Sequence, residues 1–299
     1  MRIALVVNRS AGTFHRLPLE PTVSAVAEAF RAKGHSVETA ICGRRDLAGM
    51  LSALAQRTDL DAVVCGGGDG TILTAILAGL GQDRPLGILP LGTLNLLARD
   101  LKLPPDPVEA ARLLAAGRVA AIDLAEVNGL PFAIWASLGM HPWIVRRRDK
   151  MQRGGFRKWP AFALAAFRAF RRYPLVRATL MVGGRQIVAT TPLLVISNNA
   201  WREETLPLTR ETLDRGELVV HVARVRSRLG LLWLALRALL GAWNVSGLLD
   251  TYRTDEVRVV SRKRRLMLSL DGEVTVLRSP LVFRLRPRGL SVLMPPNGE

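Results

Sequence analysis

Four glycines, an acid and a threonine occupy six consecutive positions, Gly66-Gly67-Gly68-Asp69-Gly70-Thr71. The apolar run Val63-Val64-Cys65 precedes them and the helix-like run Ile72 to Ala78 follows, so the stretch reads as a strand, a tight turn and a helix start. Glycines tolerate positive φ and let backbone N–H groups approach a ligand, and the unsatisfied N–H groups of a helix start favour an anion. The chemistry this suggests is a phosphate cradle. Asp69 would stand too close to such a phosphate without compensation, so a divalent cation or an oriented donor is implied. A second glycine loop, Leu91 to Asp100 with Gly92-Thr93-Leu94-Asn95 near its start, follows another short strand, and Asp271-Gly272-Glu273 forms a late turn between strands. Taken alone, the Asp-Gly pair is a hairpin signal.

These residues need a scaffold, and the first part of the chain supplies alternating elements. Strands are expected at Ile3 to Val7, Ser36 to Ile41, Ala62 to Cys65 and Pro85 to Pro90, with helices at Pro21 to Lys33, Leu47 to Gln56, 72 to 80 and Val108 to Ala116. Such alternation implies a parallel sheet with helices on its faces. Loops at the carboxyl ends of parallel strands are where open α/β sheets bind ligands. The first such loop is Asn8-Arg9-Ser10-Ala11-Gly12-Thr13.

From about Ala121 the character changes to short strands, at 121–127, 132–137, 177–182, 186–189, 192–197, 217–223, 257–261, 266–270, 281–285 and 289–293. This pattern implies an antiparallel sandwich or barrel. Two basic, apolar helices are expected at 154–173 and 227–243. The expected organisation is an α/β Rossmann-like domain over 1–120 and a C-terminal antiparallel β-sandwich over 121–299, whose last strands could return to the first domain.

At 299 residues and 49% hydrophobic content there is enough chain for two cores. The balance of 42 basic and 25 acidic residues leaves +17, which suits phosphorylated ligands or an anionic membrane surface. Two cysteines, Cys42 and Cys65, form no disulfide framework and suit a reducing cytoplasm. Leu229 to Trp243 is too short and too interrupted by Arg237 to span a bilayer. The arginines fall into no base-reading module, and nucleic acid is a distant alternative.

Together, Gly66 to Thr71, the Gly92-Thr93-x-Asn95 loop with Ala98-Arg99-Asp100-Leu101 after it, and Asp271-Gly272-Glu273 resemble the diacylglycerol kinase catalytic family, most closely its bacterial soluble lipid kinases. Sphingosine and ceramide kinases are relatives. The resemblance runs over nearly the whole chain. It implies ATP- and Mg²⁺-dependent phosphoryl transfer to a lipid hydroxyl such as that of diacylglycerol, in a cleft between the two domains, by a cytoplasmic protein associated peripherally with an anionic membrane. It implies nucleotide contacts from Asn8, Arg9, Gly12, Gly66, Gly67, Gly68, Asp69, Gly70, Thr71, Gly92, Thr93 and Asn95. It nominates Asp271 and Glu273 as the catalytic carboxylates, with Asp69 and Glu273 serving the metal. In an extended or bulged turn the two late acids would point to one side.

The sequence departs from the family pattern in four places. Arg9 stands where proline is common, Leu96 where an acid often assists the metal, and Arg215 where an acid of an Asp-Asp-Gly turn helps hold a structural cation. Ala200-Trp201-Arg202-Glu203-Glu204 replaces a glycine-rich segment. Two other readings stay open: a kinase of a soluble metabolite, as the NAD kinases are, and a catalytically weakened membrane-binding protein.

Overall fold

The structure, a computed structural model, describes residues 1–153, 160, 164, 166–168, 170–171, 174–202, 209–225, 227, 229–230 and 248–296. The chain divides into two compact units, residues 1–124 with 287–299, and residues 125–286.

The first unit alternates as its apolar periodicity requires: β1 (Arg2–Asn8), α1 (Leu19–Arg31), β2 (Ser36–Cys42), α2 (Leu47–Ala55), β3 (Ala62–Gly67), α3 (Asp69–Leu77), β4 (Leu86–Pro90), α4 (Leu96–Asp100), α5 (Pro107–Ala115) and the start of β5 (Arg118–Val127). Strands β2, β1, β3 and β4 lie side by side in that order, all parallel. Strands β1, β3 and β4 are buried almost throughout and read as continuous Val, Ile and Leu runs, as strands covered on both faces must. Helix α1 turns Val23, Val26, Ala27 and Phe30 inward. Helix α5 starts at Asp106, whose carboxylate accepts from Val108 N and Glu109 N, with Pro107 at the first helical position.

The second unit contains β6 (Leu130–Phe132), β7 (Trp135–Gly139), α6 (Met140–Arg153), β8 (Val176–Val182), β9 (Arg185–Thr191), β10 (Leu193–Asn198), β11 (Leu218–Ala223), β12 (Leu249–Thr254), β13 (Glu256–Val260), β14 (Arg265–Leu270), β15 (Glu273–Arg278) and the start of β16 (Leu281–Met294), whose remainder belongs to the first unit. Among the described residues one sheet runs β12-β11-β10-β7-β14-β15, antiparallel throughout. Another array pairs β16 with β13, β13 with β8 and β8 with β9, again antiparallel. Alternate residues turn inward, as in β8, where Ala178, Leu180 and Val182 are buried and Arg177 and Met181 are exposed.

Several expectations need correction. The glycine turn is shorter than read: Gly66 and Gly67 belong to β3, and α3 begins at Asp69. Residues 132–137 are two strands, broken at 133–134. Residues 281–294 are one strand, with Arg288 at φ 52 and its N–H donating to Asp123 Oδ1 at 2.9 Å. Helix α4 (Leu96–Asp100) was read as the end of the second glycine loop, being too short to show a helical stripe, and helix α6 and strands β12 and β15 were not anticipated, because arginine runs and alternating polar residues hide their apolar faces. Most of the two helices expected at 154–173 and 227–243 lies outside the described residues. Among the described residues no helix is long and apolar enough to cross a membrane.

Helix α6 is pinned to β7 by His141, whose Nδ1 is 2.7 Å from Ser137 Oγ. Burial, with a smaller contribution from Arg148, brings the His141 imidazole down to about 4. A histidine with a depressed folded pKa binds fewer protons folded than unfolded between about 4 and its ordinary 6.5. Its stabilising contribution is therefore present above about 6.5 and lost as pH falls toward 4. Urea unfolding at pH 7.5 and pH 5 should show a lower midpoint at pH 5, and His141→Asn should shrink that difference. An unchanged difference in the variant would contradict the assignment.

Candidate functional site

Asn8, Gly67 and Pro90 end β1, β3 and β4, so the loops following them emerge together at the carboxyl edge of the sheet. The order β2-β1-β3-β4 reverses direction at β1, and such a switch point is where open parallel sheets form ligand crevices. Three contacts hold the loops to one another. Asn8, only 8% exposed, donates from Nδ2 to Thr71 Oγ1 at 3.0 Å and accepts Ser10 N at 3.0 Å on Oδ1. Thr13 N donates to Leu91 O at 3.0 Å. Asp69 Oδ1 accepts Leu96 N at 2.7 Å.

The last contact answers the need that the sequence posed for Asp69: oriented donors are present. Burial pushes its carboxyl up, while amides at Leu96, Leu97 and Asn95 pull it down. Asn95 itself takes the left-handed conformation, φ 49, and clasps its own loop by accepting Gly92 N at 2.7 Å and donating to Gly92 O at 3.1 Å. Leu96 is 6% exposed, so this position contributes an amide and turns its side chain into the core.

The glycines also do packing work that the sequence did not suggest. None of Gly66, Gly67 and Gly68 takes a positive φ. A Cβ on Gly66 would meet Leu91 Cδ1 at 2.8 Å, one on Gly67 would strike the Thr71 side chain, and one on Gly68 would lie 3.1 Å from Gly92 Cα. On Gly92 a Cβ would strike Gly68 Cα and lie 2.6 Å from Asn95 Oδ1. These glycines let the two loops touch backbone to backbone. Gly12 is more open, its nearest neighbour being Thr93 Oγ1 at 3.6 Å from such a Cβ. Thr93 is exposed, and Arg9 lies against the loop after β2, its guanidinium 3.3 Å from the same construction on Gly43.

In the second unit, Asp271 and Gly272 have φ 46 and 88 and connect Leu270 to Glu273 directly. This is a two-residue hairpin turn with both residues left-handed. The extended or bulged geometry expected here is therefore corrected, and with it the argument that the period of two aims both acids the same way. Asp271 turns inward and accepts Ala133 N on Oδ2 at 2.7 Å, and Ile134 N and Trp135 N on Oδ1 at 2.9 Å each. Burial pushes its carboxyl up to about 6, against the pull of those amides and of Arg210. Glu273 opens β15 with its side chain exposed.

Arg210 escaped the sequence reading. It is 4% exposed and donates from Nη1 to Ala133 O at 2.6 Å and Asn198 O at 3.3 Å. Asn198 Nδ2 donates to the same Ala133 O at 2.9 Å. The 133–135 backbone is thus gripped at its carbonyl by Arg210 and Asn198 and at its amides by Asp271. Nothing in the local sequence around Arg210 distinguishes it from the many exposed arginines. Nearby, Trp201 packs edge-on against Trp135 at 5.7 Å and stacks on His221 at 4.9 Å.

At the 214–216 turn, Arg215 pairs with Glu211 at 3.0 Å and approaches Glu217 at 3.9 Å, and Arg253 meets Glu217 at 2.9 Å. Guanidinium groups thus neutralise these acids. Among the described residues no three His, Cys, Asp or Glu side chains converge as a metal site.

Two substitutions test these contacts. Gly92→Ala should destabilise by about 1–3 kcal/mol, because the methyl group forces the two loops apart. Asp271→Ala should cost about 3–5 kcal/mol, since it strips three buried amides of their acceptor and removes a negative charge that interacts with buried Arg210. Denaturant titration measures both, and near-wild-type stability of Asp271→Ala would contradict the inward geometry.

Comparison with known proteins bears on what this arrangement is. The profile of the diacylglycerol kinase catalytic domain matches residues 2–127. "Probable lipid kinase YegS-like" of Cronobacter sakazakii is 35% identical over 130 residues, 41% of this chain and 44% of that protein. "Probable lipid kinase YegS" of Escherichia coli O17:K52:H18 is 35% identical over 116 residues, 38% of each. The matched segments thus span less than half the length of these relatives. A crystal structure of a diacylglycerol kinase from Bacillus anthracis str. Sterne superposes with a TM-score of 0.72 over 99% of this chain and 97% of that one, at 17% identity. The fold is therefore shared along the whole chain, an α/β unit of parallel strands followed by an antiparallel unit. The match to the diacylglycerol kinase catalytic domain thus covers residues 2–127, less than half of this chain, and the fold likeness extends over the rest.

Proposed function

We propose that the chain is an ATP-dependent lipid kinase that transfers the γ-phosphoryl group to a lipid hydroxyl, with diacylglycerol or a related lipid alcohol as acceptor. The observation that carries this reading is the contact between the two glycine loops. With Gly68 against Gly92 and Asp69 holding Leu96 N, the ends of β1, β3 and β4 present one continuous backbone surface to a ligand. Phosphoryl transfer needs little covalent help from a protein and depends on positioning and charge neutralisation. Asn8, Thr71, Gly12 and Thr93 border the surface with polar groups, and the start of α3 adds the favourable end of a helix dipole.

Mg²⁺ would fit here as a nucleotide-borne ion, because it keeps several waters and takes only one or two protein carboxylates beside phosphate oxygens. Asp69 is the acid the first unit offers for it, and when bound the cation would neutralise charge on the phosphates. Of the two late acids, Glu273 is the better candidate for accepting the hydroxyl proton, since its side chain is exposed while both Asp271 oxygens already accept amides. Asp271 acts by shaping the hairpin that presents Glu273. The same-chemistry alternative, a soluble acceptor, is separated from this one by the acceptor that becomes labelled.

Glu273→Ala should lower transfer of labelled phosphate roughly a hundred- to ten-thousandfold with little change in unfolding midpoint. Asp69→Ala should weaken Mg-ATP binding by calorimetry. Wild-type turnover in Glu273→Ala would remove it as the base, and absence of Mg-ATP binding by the wild type would overturn the kinase reading.

A further inference from the structure

The outward face of the β13-β8-β9 array carries apolar side chains where water would favour polar ones. Val188 is 78% exposed, Met181 48% and Val260 39%. They are neighbours: Thr179 pairs with Val188 on one side and with Val260 on the other, while Met181 pairs with Arg258. Strand period two puts Thr179, Met181, Val188, Arg258 and Val260 on one face. Directly after Val260 come Arg262, Lys263 and Arg264, all exposed.

This basic turn is built, with its backbone fixed at three points. Ser261 Oγ donates to Arg177 O at 3.0 Å, Ser261 N donates to Ser279 Oγ at 3.0 Å, and Ser279 N donates to Arg264 O at 3.1 Å. Among the described residues, Arg258, Arg262, Lys263 and Arg264 form no ion pair with an acid. On the neighbouring strand β16, by contrast, Arg284 pairs with Glu256 at 2.8 Å. A fixed row of unpaired cations beside exposed aliphatic side chains matches the boundary of an anionic bilayer, where phosphates meet acyl chains. Nucleic acid fits less well, because the exposed side chains are aliphatic and offer no ring for a base to stack on.

We propose that the outward face of β13-β8-β9, with the 262–264 turn at its rim, is the surface by which this protein docks on an anionic membrane. The proposal deepens the lipid-kinase reading and rests on it for its biological sense, but it is measurable without turnover. It assigns docking to a sheet face rather than to the basic helices that the sequence singled out.

Flotation of the full chain with vesicles tests it. Wild type should bind vesicles containing about one third phosphatidylglycerol and not pure phosphatidylcholine. The triple variant Arg262→Glu, Lys263→Glu, Arg264→Glu should lose roughly a hundredfold in binding, and Met181→Asp with Val188→Asp should also lose binding, both with unchanged melting temperature. Wild-type binding by the triple variant, or loss on Arg146→Glu instead, would overturn the proposal. So would displacement of the vesicles by an oligonucleotide. Turnover of a short-chain lipid in neutral detergent micelles separates the two readings. If wild type gives none while vesicle binding still depends on residues 262–264, the surface stands and the kinase reading fails. If micellar turnover is present and the triple variant binds vesicles normally, the reverse holds.

Discussion

A carboxylate drawn out of water must find donors, because the cost of an unpaired buried charge is several kcal/mol. Asp69 meets this requirement through the amide of Leu96 and its neighbours, and that solution joins the turn after β3 to the loop after β4. The joining is possible only if the backbones touch, which is why glycines stand at 68 and 92. Asn95 then has to take a left-handed conformation so that its amide and side chain close the loop. The arrangement at the sheet edge follows from accommodating one negative charge.

The second unit solves the same problem with a different device. Asp271 sits in a hairpin turn and accepts three consecutive amides, and Arg210 supplies the compensating charge from another segment. A buried carboxylate held in this way is costly to strip of its donors. Its value is positional: the hairpin that carries Glu273 cannot shift without parting Asp271 from the amides at 133–135. At the Arg215 turn, guanidinium groups settle the local acids, so the departure from the family pattern is compensated in charge.

Much of the first unit was legible because its strands are uninterrupted apolar runs and its helices show clear stripes, as in Val23, Val26, Ala27 and Phe30. The loops were legible because glycine, asparagine and threonine cluster where strands end. The packing role of the glycines was not legible: beside the ligand approach that the sequence suggested, the structure shows close packing against Leu91, Thr71 and each other. Nor could the sequence tell that Asp271 turns inward, since an Asp-Gly turn permits either a hairpin or a bulge until the pairing of Leu270 with Glu273 fixes it. Arg210 was hidden for a simpler reason. Burial of one arginine among many is a tertiary fact, set by partners far away in sequence.

The central claim is that the sheet-edge surface and the late acids serve phosphoryl transfer to a lipid. Incubating the purified chain with γ-labelled ATP, Mg²⁺ and a total lipid extract, then identifying the labelled product, tests it most directly. Label in a chloroform-soluble phospholipid is the predicted result. Label confined to a water-soluble acceptor, or no transfer at all, would contradict the account.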